Sequence, residues 1–198
     1  MLGKWLESLV EIGRKMDSSQ EPDEILQSVV EAINGVMKVD ASLLLLSGDE
    51  QSESLIFRAA AGRKSEKIKG FDIKIGEGIV GQAAKDRKPI IVNSASQNDP
   101  HLRFIWQELG YETPNILSVP LIVRSRLIGV IEVINRTDGD PFTEIDVLLL
   151  SIIASQFSVP IDYAHFFKRV EGKIEELTKL IETELLNQLY FRPCSYSS

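Results

Sequence analysis

Apolar residues recur at helical spacing near both ends of the chain, and between them they fall into short runs separated by turn residues. One stripe runs through Leu2, Trp5, Leu6, Leu9, Ile12 and Met16. After the Ser/Pro/Asp-rich break DSSQEPDE, another runs through Ile25, Leu26, Val29, Val30, Ile33 and Met37. This spacing puts each set on one face and predicts two amphipathic helices. The runs ASLLLLSGDE and SLIFRAAAG predict two strands of a hairpin, because each is short, apolar and bounded by turn residues. FDIKI alternates as a half-exposed strand does, and PIIVN predicts a further short strand. SVPLIVRSRLIGVIEVIN predicts two strands around the tight turn Arg124-Ser125-Arg126.

The segment PFTEIDVLLLSIIASQFSVPIDYAHFFKRV predicts a long helix starting near Phe142. Pro160 is expected to kink it or mark its weak point, since proline removes a backbone donor and clashes with the preceding turn. GKIEELTKLIETELLNQLYF predicts a further helix with Ile174, Leu177, Ile181, Leu185 and Leu189 on one side; these advance by three, then by fours, and so drift off a strict heptad. Strands in the middle and helices at both ends predict the α+β class, an antiparallel sheet with helices packed on a face.

At 198 residues the chain suits one domain with accessory helices. Its 22 basic and 29 acidic residues give a net charge of -7, which disfavours a nucleic-acid partner because no cation excess is available to track phosphates. The single cysteine, Cys194, excludes an intrachain disulfide and a multi-thiolate metal site, and fits a reducing compartment. Charges interrupt the N-terminal apolar residues too often for a signal peptide, and VLLLSIIASQF is far short of a membrane span. The expectation is a soluble cytoplasmic protein with no membrane partner.

Gly76-x-Gly78-x-x-Gly81 matches the dinucleotide fingerprint, but its surroundings do not. That fold needs a nearly all-apolar parallel strand before the glycines, a crossover helix after them, and a carboxylate about 20 residues on. Here FDIKI alternates, the helix GIVGQAAKD ends by Pro89, and PIIVN ends in Asn93. The glycines therefore serve either tight turning and close packing or a helix start at Gly78 whose free N–H groups would attract a phosphate or carboxylate. Glu77 beside that start either stabilises the helix dipole or meets a ligand.

The stretch GEGIVGQAAKDRKPIIVNSASQNDPHLRF followed by GYETPNILSVPLIVRSRLIGVIEVINR closely resembles the GAF family of small-molecule sensor domains, over about Ser19 to Phe167. Its markers are Gly78-Ile79-Val80-Gly81, the Asp99 to Phe104 stretch, Val119-Pro120-Leu121, Leu127-Ile128-Gly129-Val130, and Phe142-x-x-x-Asp146. The resemblance implies a six-stranded antiparallel sheet with terminal helices on one face and a pocket covered by loops and short helices on the other. With the apolar stripes of the first and last helices, too long for one sheet face to cover, the expected division is an N-terminal dimerisation helix (1–18), a GAF domain (19–168), a C-terminal signalling and dimerisation helix (169–191) and a flexible tail (192–198).

The resemblance also implies candidate ligand residues. The cyclic-nucleotide signature of the family reads here as Asn135-Arg136, Phe142 and Asp146, with Val147 in place of its last acid. GYETPNILSVP looks like the purine-nucleotide-binding branch, in which the places of Ser42, Asn93, Asp99, Tyr111 and Thr113 contact ligand or shape the pocket. With the helix start at Gly78, Ile79 and Val80, these form the candidate site. Strand alternation adds Glu132, which shares a face with Ile128, Val130 and Ile134. Either a partner or ligand meets it there, or the strand is wet at that point.

The implied ligand is a cyclic nucleotide or another small molecule. No bilin is expected, since bilin-binding relatives need a pocket cysteine. His101 and His165 are separated and lack the company of a metal set, though relatives include haem sensors. Methionine-sulfoxide-reducing relatives need thiolates to attack and then resolve, which Cys194 alone does not supply. The chain is therefore expected to be a non-enzyme that homodimerises through its N- and C-terminal helices and signals to an output domain or a partner signalling protein. Whether it is whole or a fragment stays open. The alternative is a ligand-free GAF-fold scaffold.

Overall fold

The computed structural model describes residues 22–48, 52–62, 72–93 and 115–190, with side chains described as far as Leu185. The helix expected over residues 2–16 lies outside them. The described chain opens with helix α1 (Pro22–Met37), which starts on proline with Asp23 and Glu24 in its first turn. Proline lacks only a donor that the first turn would leave unused, and the two acids complement the positive end of the dipole.

Six strands follow: β1 (Val39–Ser47), β2 (Ser54–Gly62), β3 (Asp72–Lys74), β4 (Ile90–Val92), β5 (Ile116–Val123) and β6 (Arg126–Arg136). Helix α2 (Gly78–Asp86) lies between β3 and β4, and α3 (Glu144–Tyr190) closes the described chain. The strands form one sheet in the order β3-β2-β1-β6-β5-β4, every pair antiparallel. This is the expected α+β architecture. The β5–β6 hairpin turns on Arg124 and Ser125, both at positive φ (48° and 67°), as the twist of a two-residue hairpin demands.

Two apolar clusters lie on opposite faces of the sheet. One joins Leu26, Val30 and Ile33 of α1 and Phe157 and Ile161 of α3 to Leu44, Leu117, Ile131 and Val133. Each such side chain taken fully out of water contributes roughly 2 kcal/mol before entropy is counted. The other joins Leu43, Leu45, Phe57, Val130 and Ile134 to Val80 and Ala84 of α2. The terminal helices thus cover one face and α2 lies on the other.

Two bulges set which residues face which way. Leu44 pairs with Ala59 and Leu45 with Phe57, so Arg58 is the extra residue on β2. Leu121 pairs with Gly129 and Ile122 with Leu127, so Ile128 is the extra residue on β6. An unpaired residue resets the alternation beyond it. Ile128 therefore packs in the helix-side cluster, while Val130 and Ile134 pack in the other. The expected row of Ile128, Val130, Glu132 and Ile134 is corrected at its first member.

α3 is a single helix of 47 residues that passes through Pro160 and position 168 without interruption. By length and composition part of it is apolar enough to cross a bilayer, with a mean hydropathy of 1.5. The cause is apolar residues on two opposite sides, of which one packs on the sheet. Two side chains tie α3 to the end of β1: His165 Nε2–H donates to the Ser47 carbonyl (2.7 Å), and an Arg169 N–H donates to the Gly48 carbonyl (2.9 Å).

Candidate functional site

The glycine segment forms a closed turn. The Gly76 N–H donates to the Gly81 carbonyl (2.8 Å) and the Glu77 N–H to the Lys74 carbonyl (3.0 Å). Gly76 and Gly78 have φ of 96° and 63°. A Cβ on Gly81 would stand 2.4 Å from the Lys74 carbonyl oxygen. The N–H groups of Gly76 and Glu77 are spent inside the motif, and the positive φ values and the close approach at Gly81 account for its glycines. Glu77 is the N-cap residue of α2, and its side chain makes no cap hydrogen bond.

Val80 is fully buried in the cluster beneath α2, and Ile79 packs partly against it. Both anchor α2 to the sheet.

Ser42 and Glu132 stand on opposite faces. Ser42 pairs with Val133 and Ala61, which belong to the helix-side cluster, and its Oγ donates to the Val30 carbonyl of α1 at 2.6 Å. Ser42 thus satisfies a carbonyl in the helix-to-sheet layer. Glu132 lies between Leu43 of β1 and Ser118 of β5 on the face beneath α2. It is 3% exposed. Ser118 Oγ donates to Glu132 Oε2 at 2.8 Å.

Burial pushes the Glu132 carboxyl up to about 7 from its ordinary 4.5, and the Ser118 hydrogen bond only partly offsets this. A carboxylate has about four acceptor sites. Among the described residues the Ser118 hydroxyl is the hydrogen-bond partner shown for it, one bond against those sites, with apolar side chains around it. Ser118 was not among the sequence candidates, but its place opposite Glu132 is readable once the β5–β6 register is known.

Asn93 is a clip. Its Nδ2 donates to the Phe142 carbonyl and its Oδ1 accepts from the Phe142 N–H, each at 3.0 Å, fixing the segment that leads into α3. The rest of the signature continues that joint. Arg136 Nη1 donates to both oxygens of Asp146 (3.1 and 3.2 Å), and its Nε and Nη2 pair bidentately with Asp138 (3.0 and 2.6 Å). The hydrogen bond to Asp138 is the main force holding the Arg136 guanidinium charged, and Asp138 is correspondingly lowered to about 2. Asp146 Oδ2 accepts from the N–H and Oγ1 of Thr143, both at 2.8 Å, which caps the start of α3. Val147, where the signature has an acid, packs against the helix-side cluster instead.

Asp99, Tyr111 and Thr113 lie outside the described residues, as does His101. Of the others, only Glu132, with Val80 and Ile79 behind it, shares the face beneath α2. Among the described residues no group of three or more His, Cys, Asp or Glu could hold a metal.

A family profile described as GAF domain matches residues 19–162. The chain is 25% identical over 168 residues to a probable 3',5'-cyclic phosphodiesterase of Caenorhabditis elegans, covering 81% of this chain and 23% of that protein. It thus spans under a quarter of that relative's length. Among solved structures it resembles the GAF domain of an Acinetobacter phosphoenolpyruvate-protein phosphotransferase (TM-score 0.65, 23% identity, 83% of this chain and 96% of that one). It also resembles the second GAF domain of DevS from Mycobacterium smegmatis (0.60, 19%, 76% and 99%). A third likeness is to the free methionine-R-sulfoxide reductase of Neisseria meningitidis solved with its substrate (0.59, 17%, 81% and 89%). At these identities the structural likenesses carry the fold.

Proposed function

The chain belongs to the GAF domain family, and we propose on that premise that it takes a small molecule of the purine cyclic-nucleotide class on the sheet face beneath α2 and passes occupancy on through α3. GAF domains are regulatory sensor domains, and the reading here is of a non-enzymatic one. The observation that carries it is Glu132, a buried carboxyl on a face of apolar side chains whose partner among the described residues is the Ser118 hydroxyl. Leaving it so costs free energy in the empty domain, and a ligand N–H or O–H donor would recover it. The phosphodiesterase relative supports the cyclic-nucleotide class.

The same strand supplies a route for coupling. Ile131 and Val133 flank Glu132 on β6 and point the other way, into the cluster that holds α3. A ligand shifts α3 only to the extent that it binds one arrangement of that layer better than another. The output is an attached domain or a partner signalling protein reached by α3.

A second reading, a ligand-free scaffold, is favoured by Ser42 and Asn93, both engaged in structural hydrogen bonds. Thermal melting with cyclic GMP and cyclic AMP, beside native mass spectrometry for a co-purified molecule, separates the two. A ligand at a hundredfold over its Kd adds about 2.7 kcal/mol. No shift with either nucleotide and no retained molecule would leave the scaffold reading standing.

A further inference from the structure

α3 carries a second apolar stripe that the domain does not use. At about 100° of turn per residue, its exposed apolar residues other than Leu180 fall within roughly a 100° sector opposite the side packed on the sheet. The stripe is symmetric about Val170. Phe166 and Ile174 stand four positions away, Tyr163 and Leu177 seven, and Val159 and Ile181 eleven, all at least 53% exposed.

The two halves differ beside the stripe. Along the proximal half a groove of about 530 Å³ runs between α3 and the β5–β6 turn, with Val123 and Val159 in its lining and Arg124, Arg126 and Arg169 around it. Among the described residues lining it, Asp162 is the one carboxylate, and both its oxygens accept from Nη2 of Arg126 (2.7 and 2.8 Å). Such a cation cluster is unexpected on a chain of net charge -7. Along the distal half, the same flank presents Glu176, Leu180 and Glu184, with Lys173 beside them paired to Glu176 (2.9 Å), and Leu180 is 60% exposed although it lies off the stripe. Residues 171–185 are exposed throughout, which leaves room for another domain.

We infer that the stripe and groove are covered by a second copy of this chain, its α3 antiparallel and centred at Val170, so that the Glu176–Leu180–Glu184 flank of each copy sits in the arginine groove of the other. A twofold axis perpendicular to two antiparallel helices brings like flank to like flank, and so brings proximal cations to distal acids. In this register Leu180 stands opposite Pro160, next to the apolar lining at Val159. A parallel pair would match each distal half with itself and leave groove and Leu180 without each other. The inference rests on the reading of α3 as the transmitting element.

Cysteine cross-linking of the full chain with Cys194→Ser tests it. Tyr163→Cys and Leu177→Cys together should oxidise to a covalent dimer, while either alone should not, and Glu176→Arg should weaken dimerisation about tenfold. Cross-linking by Tyr163→Cys alone would overturn the antiparallel register and keep a paired α3. Sedimentation of the unsubstituted chain as a monomer at tens of micromolar would overturn pairing itself without any variant. Neither outcome touches nucleotide binding, which the melts read separately.

Discussion

Ser118 and Glu132 face each other across β5 and β6, joined by a 2.8 Å hydrogen bond on the side of the sheet away from the terminal helices. Because the folded carboxyl titrates near 7 and an unfolded one near 4.5, the folded chain binds more protons between those values. Stability should therefore fall as pH rises from 4.5 to 7 and level off above, by on the order of 3 kcal/mol from this group. Glu132→Gln should remove that slope and raise the melting temperature at pH 8; urea unfolding at pH 5.5 and pH 8 reads both.

His165 works in the opposite direction. Burial, then the nearby cations Arg58 and Arg169, lower its proton affinity in spite of the Ser47 hydrogen bond. The folded chain binds fewer protons there, so stability is lost as pH falls below the ordinary histidine value of about 6.5. In a Glu132→Gln background, the remaining acid-side loss should shrink when His165→Gln is added. An unchanged acid limb in the double variant would remove His165 from the explanation.

Asp146→Asn should cost about 1–3 kcal/mol, since it weakens the bond to Arg136 and the cap at Thr143 together. Hydrogen exchange should show the loss first in the opening turn of α3. Asn93→Ala should destabilise the same joint from the other side, leaving both Phe142 backbone groups without Asn93.

Gly81→Ala is expected to destabilise by more than about 2 kcal/mol, because the added carbon meets backbone at Lys74 and Gly76 that has little room to move. Gly139→Ala is the control for positive φ alone: it has φ of 83° and nothing within 4 Å, and should cost only about 1 kcal/mol. Chemical denaturation of the two ranks them.

Much of the fold was legible. The stripes of α1 and the strand runs are amphipathic or bounded by turn residues, and turn glycines such as Gly76 and Gly81 announce close backbone approach. The continuity of α3 was not, because Pro160 and Gly172 locally disfavour a helix while packing before them and propagation after them carry it through. Of the candidate site, Glu132 stood out as a carboxylate in an apolar row. Ser42 did not reveal its face, because the following Leu43–Leu46 run is apolar on both sides of β1 and has no alternation to read.

The order of elements, the antiparallel class and the place of Glu132 in an otherwise apolar row follow from local periodicity, which depends only on backbone geometry along the chain. Which side of the sheet each row occupies was decided by the tertiary structure. A two-residue repeat is blind to which face a helix will cover, and one extra residue, at Arg58 or Ile128, reverses everything beyond it.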